Sequence, residues 1–223
     1  GVGVAVVNAL SRWMEVEVKR DGGLFYQKYE RGKPVTDVIR KGDAADTGTK
    51  ITFKPDDEIF EDVTFSADIL TKRLREQAFL NRGIHITLLD ERTQERSVFH
   101  YEGGIVSFVE YLNRNNDVLH EKPIYMSGSK DDMEVEVAIQ YNDTYIEKVF
   151  TFANNINTQE GGTHLVGFRT ALTRTFNDYI RKMNLLKDSD PNLTGEDVRE
   201  GLTAVISVRL RNPQFEGQTK TKL

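Results

Sequence analysis

The sequence predicts a mixed fold in which antiparallel hairpins are interleaved with amphipathic helices. Three observations carry this expectation. Runs at 14–20, 24–30 and 133–141 are strand-like, the first and third alternating apolar and polar residues with the period of two that sends successive side chains to opposite faces. Apolar residues recur at helical spacing at Leu70, Leu74 and Phe79, and at Phe168, Leu172, Phe176 and Ile180. Glycine pairs at 22–23, 103–104 and 161–162 separate these runs. With 223 residues, 38% of them hydrophobic, the chain suffices for one large or two modest domains.

From the N-terminus, Gly1-Val2-Gly3 opens a helix whose Val4, Val6, Val7 and Leu10 suit one buried face. A glycine-flanked turn into a helix presents unpaired N–H groups to an anion. The motif is short of a full GxGxxG, because Val6 occupies the last glycine position and no strand precedes it in this sequence. Met14 to Arg20, the turn Asp21-Gly22-Gly23 and Leu24 to Glu30 form a hairpin. The run 46–53 joins a polar bend to a β-branched strand with Thr49 and Ile51 on one face. That pair suits either a flat heteroaromatic ring or an ordinary half-buried strand.

A helix over 68–80 ends at Asn81-Arg82-Gly83, and a second hairpin pairs 84–89 with 97–101. Glu102-Gly103-Gly104 is the expected domain joint, dividing the chain into 1–101 and 102–223, and a helix follows over 105–112. Strands are expected at 122–126, 133–141 and 147–153, a long helix from Thr163 to about Met183, and a polar loop at 187–192. Glu196, Asp197 and Glu200 lie at a helix start, where carboxylates cap and solvate. Leu202 to Leu210 is a final apolar strand, leading into a tail from Pro213 to Leu223. In that tail Gly217 frees the backbone, Lys220 carries an ammonium, and Gln218 and Thr219 are neutral hydrogen-bonding groups. The set suits a grip on a phosphate or a solvated basic tail.

Composition narrows the function classes. With no cysteine, disulfides, thiolate catalysis and Cys-ligated metal sites are excluded, and the histidines at 85, 100, 120 and 164 lack metal-ligand spacing. A net charge of −5 argues against a general nucleic-acid binder. No apolar run reaches the roughly 20 residues of a membrane span and no signal-peptide pattern opens the chain, so a cytoplasmic protein without membrane partners is expected. The missing initiator Met and the opening inside a Gly-rich turn lead us to expect a fragment.

The blocks GVGVAVVNALS (1–11), DTGTKITF (46–53), KRLREQAFLNRGI (72–84), HYEGGI (100–105), EGGTHLVGFRTALTRTFN (160–177), EDVREGLTAVISV (196–208) and PQFEGQTKTKL (213–223), in that order, resemble the B subunits of bacterial DNA gyrase, an ATP-driven type II topoisomerase. The E subunit of topoisomerase IV is the close alternative, and another GHKL ATPase a more distant one. The resemblance implies an α+β fold: the C-terminal half of a two-layer GHKL-type ATPase domain over 1–101, then an α+β transducer domain over 102–223 ending in a QTK loop. It implies that Gly1, Val2 and Gly3 contact the phosphates of ATP, that Thr49 holds adenine through its hydroxyl and an ordered water, and that Ile51 lines the adenine pocket. Gln218 and Lys220 would sense the γ-phosphate, with Lys220 the group assigned to catalysis.

The implied general-base Glu and the Mg²⁺ ligand lie upstream of Gly1, so the chain alone is expected not to hydrolyse ATP. The implied work is mechanical: the transducer loop closes on bound ATP, two copies dimerise into a gate that traps a DNA segment, and hydrolysis with product release reopens it. Implied partners are DNA, the gyrase A subunit and a second B subunit in an A2B2 heterotetramer. Arg169 and Arg174 would either face DNA in a basic cavity between two copies or form ion pairs.

Overall fold

The first expected hairpin forms. In the computed structural model, which describes residues 2–223, helix α1 (Gly3–Ala9) leads into β1 (Ser11–Arg20), which pairs antiparallel with β2 (Gly23–Glu30) on one side and, after β3 (Lys33–Pro34) and β4 (Ile39–Asp43), with β5 (Gly48–Pro55) on the other. β3 and β4, which no periodicity announced, both pair with β2. Register places Val16 opposite Gln27 and Ile51, and Val18 opposite Phe25 and Thr49. One sheet face therefore carries Met14, Val16, Val18, Ile51 and Phe53, and the other Glu15, Glu17 and Lys19. These elements belong to the first of two compact units, Gly1–Ser66 and Ala67–Leu223.

The expectation that α1 buries an apolar face is corrected: Val4, Val6 and Val7 are all exposed. The helix is short and held at its C-terminal end, where Ser11 Oγ donates to Val7 O and Asp56 N donates to Leu10 O. Val6, Val7 and Leu10 instead line an open cleft of about 350 Å³ with Phe53, Phe60 and Phe65.

Asp56 ties this unit together. Its residue is 1% exposed. One carboxylate oxygen accepts from Glu58 N at 3.1 Å and the other from Arg31 Nε at 2.8 Å. Arg31, held at φ 48 in the β2–β3 turn, also donates its backbone N–H to Ser11 O. Through the Asp56 side chain, its backbone N–H to Leu10 O and the Arg31 N–H, three chain segments are thus tied together.

The second unit contains α2 (Ala67–Leu80), the hairpin β6 (Ile86–Asp90) and β7 (Glu95–Phe99), α3 (Ile105–Asn113), β8 (Ile124–Lys130), β9 (Met133–Tyr141), β10 (Lys148–Ala153), β11 (Ile156–Asn157), α4 (Thr163–Lys182), α5 (Gly195–Arg199) and β12 (Leu202–Leu210). Its main sheet has the order β11-β10-β12-β9-β8. β10 and β12 are parallel, which requires the long connection that α4 and α5 supply. Leu172 and Val198 pack on one face with Val137, Ile139, Ala204, Ile206 and Val208. Phe79, Leu80, Ile105, Phe108 and Val109 pack on the other with Ala138, Phe152 and Val205.

The expected joint at Glu102–Gly104 lies inside this unit. Tyr101 stacks on Phe79 at 3.8 Å between ring centroids and Phe79 on Phe108 at 4.7 Å, while Gly104, at φ 58, turns the chain into α3. A buried polar network joins α3 to the sheet: Asn113 Nδ2 donates to Gln140 Oε1 at 2.9 Å, and Asn113 Oδ1 accepts from Asn142 Nδ2 at 2.9 Å and Thr203 Oγ1 at 2.8 Å. The expected capping at the start of α5 is present, with Asp197 N donating to Thr194 Oγ1 and Thr194 N to Asp197 Oδ2.

These contacts carry consequences for stability. Gly201 sits at φ 68, and a Cβ there would lie 2.4 Å from Asn142 O and 2.8 Å from Thr144 O, so Gly201→Ala should cost at least about 2 kcal/mol in urea unfolding. The Asp56 carboxyl is held below the ordinary carboxylate range, first by the Glu58 N–H and then by the Arg31 guanidinium. Its contribution is full above about pH 4 and fades as pH falls through the lowered value. The stability gap between wild type and Asp56→Asn should accordingly be widest at neutral pH and close in acid.

Candidate functional site

The tail that suits a phosphate grip folds into a defined turn. Lys220 N donates to Gly217 O at 3.0 Å, so Gln218 and Thr219 occupy the turn tip, and Glu216 N donates to Lys222 O at 3.0 Å to close the loop behind it. The Lys222 ammonium lies 2.8 Å from Glu216 Oε2, and Glu216 draws the Lys222 pKa above its ordinary value. The second lysine of the tail is therefore engaged in holding the loop shut.

Lys220 is different in kind. Its ammonium has no ion-pair partner among the described residues and lies 5.9 Å from the centre of the Phe215 ring. Its backbone is at φ 57, in the left-handed region that glycine occupies without penalty and a lysine does not. An exposed cation is thus held in a strained position at the rim of a closed turn, next to the exposed amide of Gln218. Strain of this kind is retained where surrounding contacts enforce it.

The remaining expected site residues lie in the first unit. Gly1 falls outside the described residues. Val2 stands at the N-cap of α1 and Gly3 begins the helix; no side chain caps this end and no acidic residue occupies its first turn. The N–H groups of Gly3 and Val4 therefore have no acceptor within the helix and no carboxylate in their own turn, which leaves them open to an anion. Thr49 and Ile51 are on one face of β5 as expected, opposite Val18 and Val16. Both are exposed in the described chain, Ile51 at 42%, where the pattern alone favoured half-buried strand residues. An open hydroxyl beside an open apolar surface is what a heteroaromatic ring would contact.

Arg169 donates to Glu147 Oε1 at 2.7 Å, and Arg199 reaches the other oxygen of the same carboxylate at 3.2 Å. Arg174 pairs with Asp178 at 3.6 Å on an exposed surface. Among the described residues no three His, Asp or Glu side chains are grouped to hold a metal ion. His85 and His100 stack on one another at 3.6 Å, and His120 lies between Lys122 O and the Tyr141 N–H. The His164 ring contacts Thr158 Oγ1, and burial pushes its pKa down.

Sequence reasoning singled out Lys220 but missed Phe215, Glu216 and Lys222, which shape the loop. The opposite charges of Glu216 and Lys222 were visible; the chain reversal that brings them together was not.

The DNA gyrase B family model matches residues 104–223. The DNA gyrase B subunit of Clostridium acetobutylicum is 60% identical over 224 residues, covering all of this chain and 35% of that protein. The chain thus spans about a third of that relative's length. Among solved structures, the 43K ATPase domain of Thermus thermophilus gyrase B, in complex with an aminocoumarin, superposes with a TM-score of 0.88 at 42% identity, covering 100% of this chain and 61% of the other. The topoisomerase IV ATP-binding domain of Francisella tularensis, in complex with a small-molecule inhibitor, gives 0.82 at 31% identity with the same coverages of 100% and 61%. The expected mixed architecture is borne out by these superpositions.

Replacing Lys220 by Gly should relieve the left-handed strain and leave the chain at least as stable as wild type, by up to about 1 kcal/mol in urea unfolding. A clear loss of stability in that variant would show that the Lys220 side chain holds the turn together.

Proposed function

Because the chain belongs to the DNA gyrase B family, we propose that it forms the nucleotide-responsive part of an ATP-driven type II topoisomerase that introduces negative supercoils into DNA. The observation that carries this reading is the Lys220 ammonium, held without an ion-pair partner on a strained turn beside Gln218. In the first unit, the uncapped first turn of α1 suits phosphate oxygens and the open Thr49–Ile51 strip suits a flat base.

Bound ATP supplies a terminal phosphate whose negative charge leaves the site after hydrolysis. In this reading Gly1, Val2 and Gly3 hold phosphate oxygens through backbone N–H groups, Thr49 orients adenine through its hydroxyl, and Ile51 covers one side of the ring. Gln218 and Lys220 bind the terminal phosphate, and Lys220 is the catalytic contact. An ammonium fits this task because its attraction exists in one nucleotide state and is lost in the other, which is the differential affinity that a two-state switch requires. A charge-assisted contact of about 1.5–3 kcal/mol would bias such a switch by roughly tenfold or more.

The reading assigns 1–101 to the end of a GHKL ATPase domain and 102–223 to a transducer domain ending in the QTK loop. Its partners are DNA, the gyrase A subunit and a second B subunit in an A2B2 heterotetramer, in the cytoplasm. Among the described residues no helix is long and apolar enough to cross a membrane. The residues matched here bind and sense, and none is matched to a general base, so the chain by itself is proposed not to turn ATP over. Mg²⁺ belongs to the proposal through the family resemblance only, and no residue described here is assigned to it. The gate mechanism also leaves Arg169 a structural part, since its guanidinium is already engaged by Glu147.

The test is ATP-driven supercoiling by the complete B subunit with its A partner, wild type against Lys220→Ala. Loss of supercoiling with an unchanged thermal unfolding midpoint supports the sensor role. Normal supercoiling by the variant would mean that the turn is only a surface loop.

A further inference from the structure

The residues that leave the Gln218–Lys220 turn are fastened to one short bend ahead of α4. Glu160 N donates to Thr221 O at 2.9 Å, Leu223 N to Gly161 O at 3.1 Å and Thr163 N to Leu223 O at 3.2 Å. The Thr221 hydroxyl adds a fourth bond to the Glu160 carboxylate. Leu223 therefore pairs with the backbone on either side of Gly162, as a strand pairs across a ladder.

That approach requires a glycine at 162. Its φ of 140 disfavours any L side chain, and a Cβ there would lie 2.2 Å from Leu223 O and 2.7 Å from Leu223 N, both backbone atoms that cannot rotate away. The same residue is the N-cap of α4. The bend thus joins the turn directly to the first turn of a helix of 20 residues.

Resting on the sensor reading above, we infer that Glu160–Gly162 is the seat that positions the Gln218–Lys220 turn, with Gly162 and Thr221 as positioning residues that act through Lys220. Displacing the tail from this seat moves Lys220 while leaving the Lys220 side chain chemically intact. The seat also gives a movement of the turn a hydrogen-bonded route to the start of α4, without passing through the sheet.

The test is binding of a non-hydrolysable ATP analogue to the complete B subunit, measured by calorimetry for wild type, Lys220→Ala, Gly162→Ala, Thr221→Val and the two double variants that combine Lys220→Ala with each seat change. Lys220→Ala and Gly162→Ala are each expected to weaken binding about tenfold and Thr221→Val a few-fold, since each removes or misplaces the same charge-assisted contact. Each double variant should bind no more weakly than Lys220→Ala alone, because changes that act through one contact do not add.

Losses that multiply in the double variants, or wild-type binding by both Gly162→Ala and Thr221→Val, overturn the seat and leave the sensor reading standing. Wild-type binding by Lys220→Ala overturns the sensor reading, and the seat with it. If Gly162→Ala does not fold, Thr221→Val and its double variant decide the matter.

Discussion

A strand covered on both faces buries most of what it carries: Leu202 to Val208 of β12 are all buried, and among them only the Ser207 hydroxyl lacks a hydrogen-bond partner. Ala204, Ile206 and Val208 face the α4–α5 side, Val205 the α2–α3 side, and all are buried. Thr203, also buried, gives its hydroxyl to Asn113 at 2.8 Å. With β10 parallel on one flank and β9 antiparallel on the other, each remaining element of the second unit's main sheet is placed by reference to this strand. Its loss would expose two cores at once, and burial is the main source of stability available to a unit of this size.

Around that strand, polar groups set alignment where apolar packing alone would allow sliding. Asn113 donates to Gln140 of β9 and accepts from Asn142 and from Thr203 of β12, joining α3 to both strands in a single register. Asp56 has the same function in the first unit, gathering the Arg31 turn, the β5 exit and, through its own N–H, the junction after α1. Both are buried groups with good partners, the condition under which a polar group in a core costs little and specifies much.

The tail is fixed by the same kind of contact at the opposite extreme of burial. Glu216 and Lys222 close the turn, the backbone of 221–223 docks on 160–163, and Lys220 is left exposed with its ammonium unpaired by any described carboxylate. Within one short segment, one lysine closes the turn and another stays exposed with no ion-pair partner among the described residues. The division follows from geometry, since residue type and spacing are nearly the same for both.

The sequence by itself determined what depends on local periodicity. β1, α2, α4 and β9 were legible because their side-chain spacing repeats over seven or more residues, β2 from the glycine turn that pairs it with β1, and β12 as a long apolar run. The ordered blocks that carry the family resemblance were legible for a different reason, as residue identity needs no contacts to be read. Only tertiary structure decided the rest. β3 and β11 are two residues long and exist because a neighbouring strand supplies their hydrogen bonds. The apolar side of α1 proved exposed because a pattern shows which face is greasy and cannot show what covers it. The left-handed backbone of Lys220 and the Glu216–Lys222 clasp depend on a chain reversal that residue types do not announce, and the bonds between 160–163 and 221–223 join segments distant in the chain, whose positions are set by the folding of everything between them.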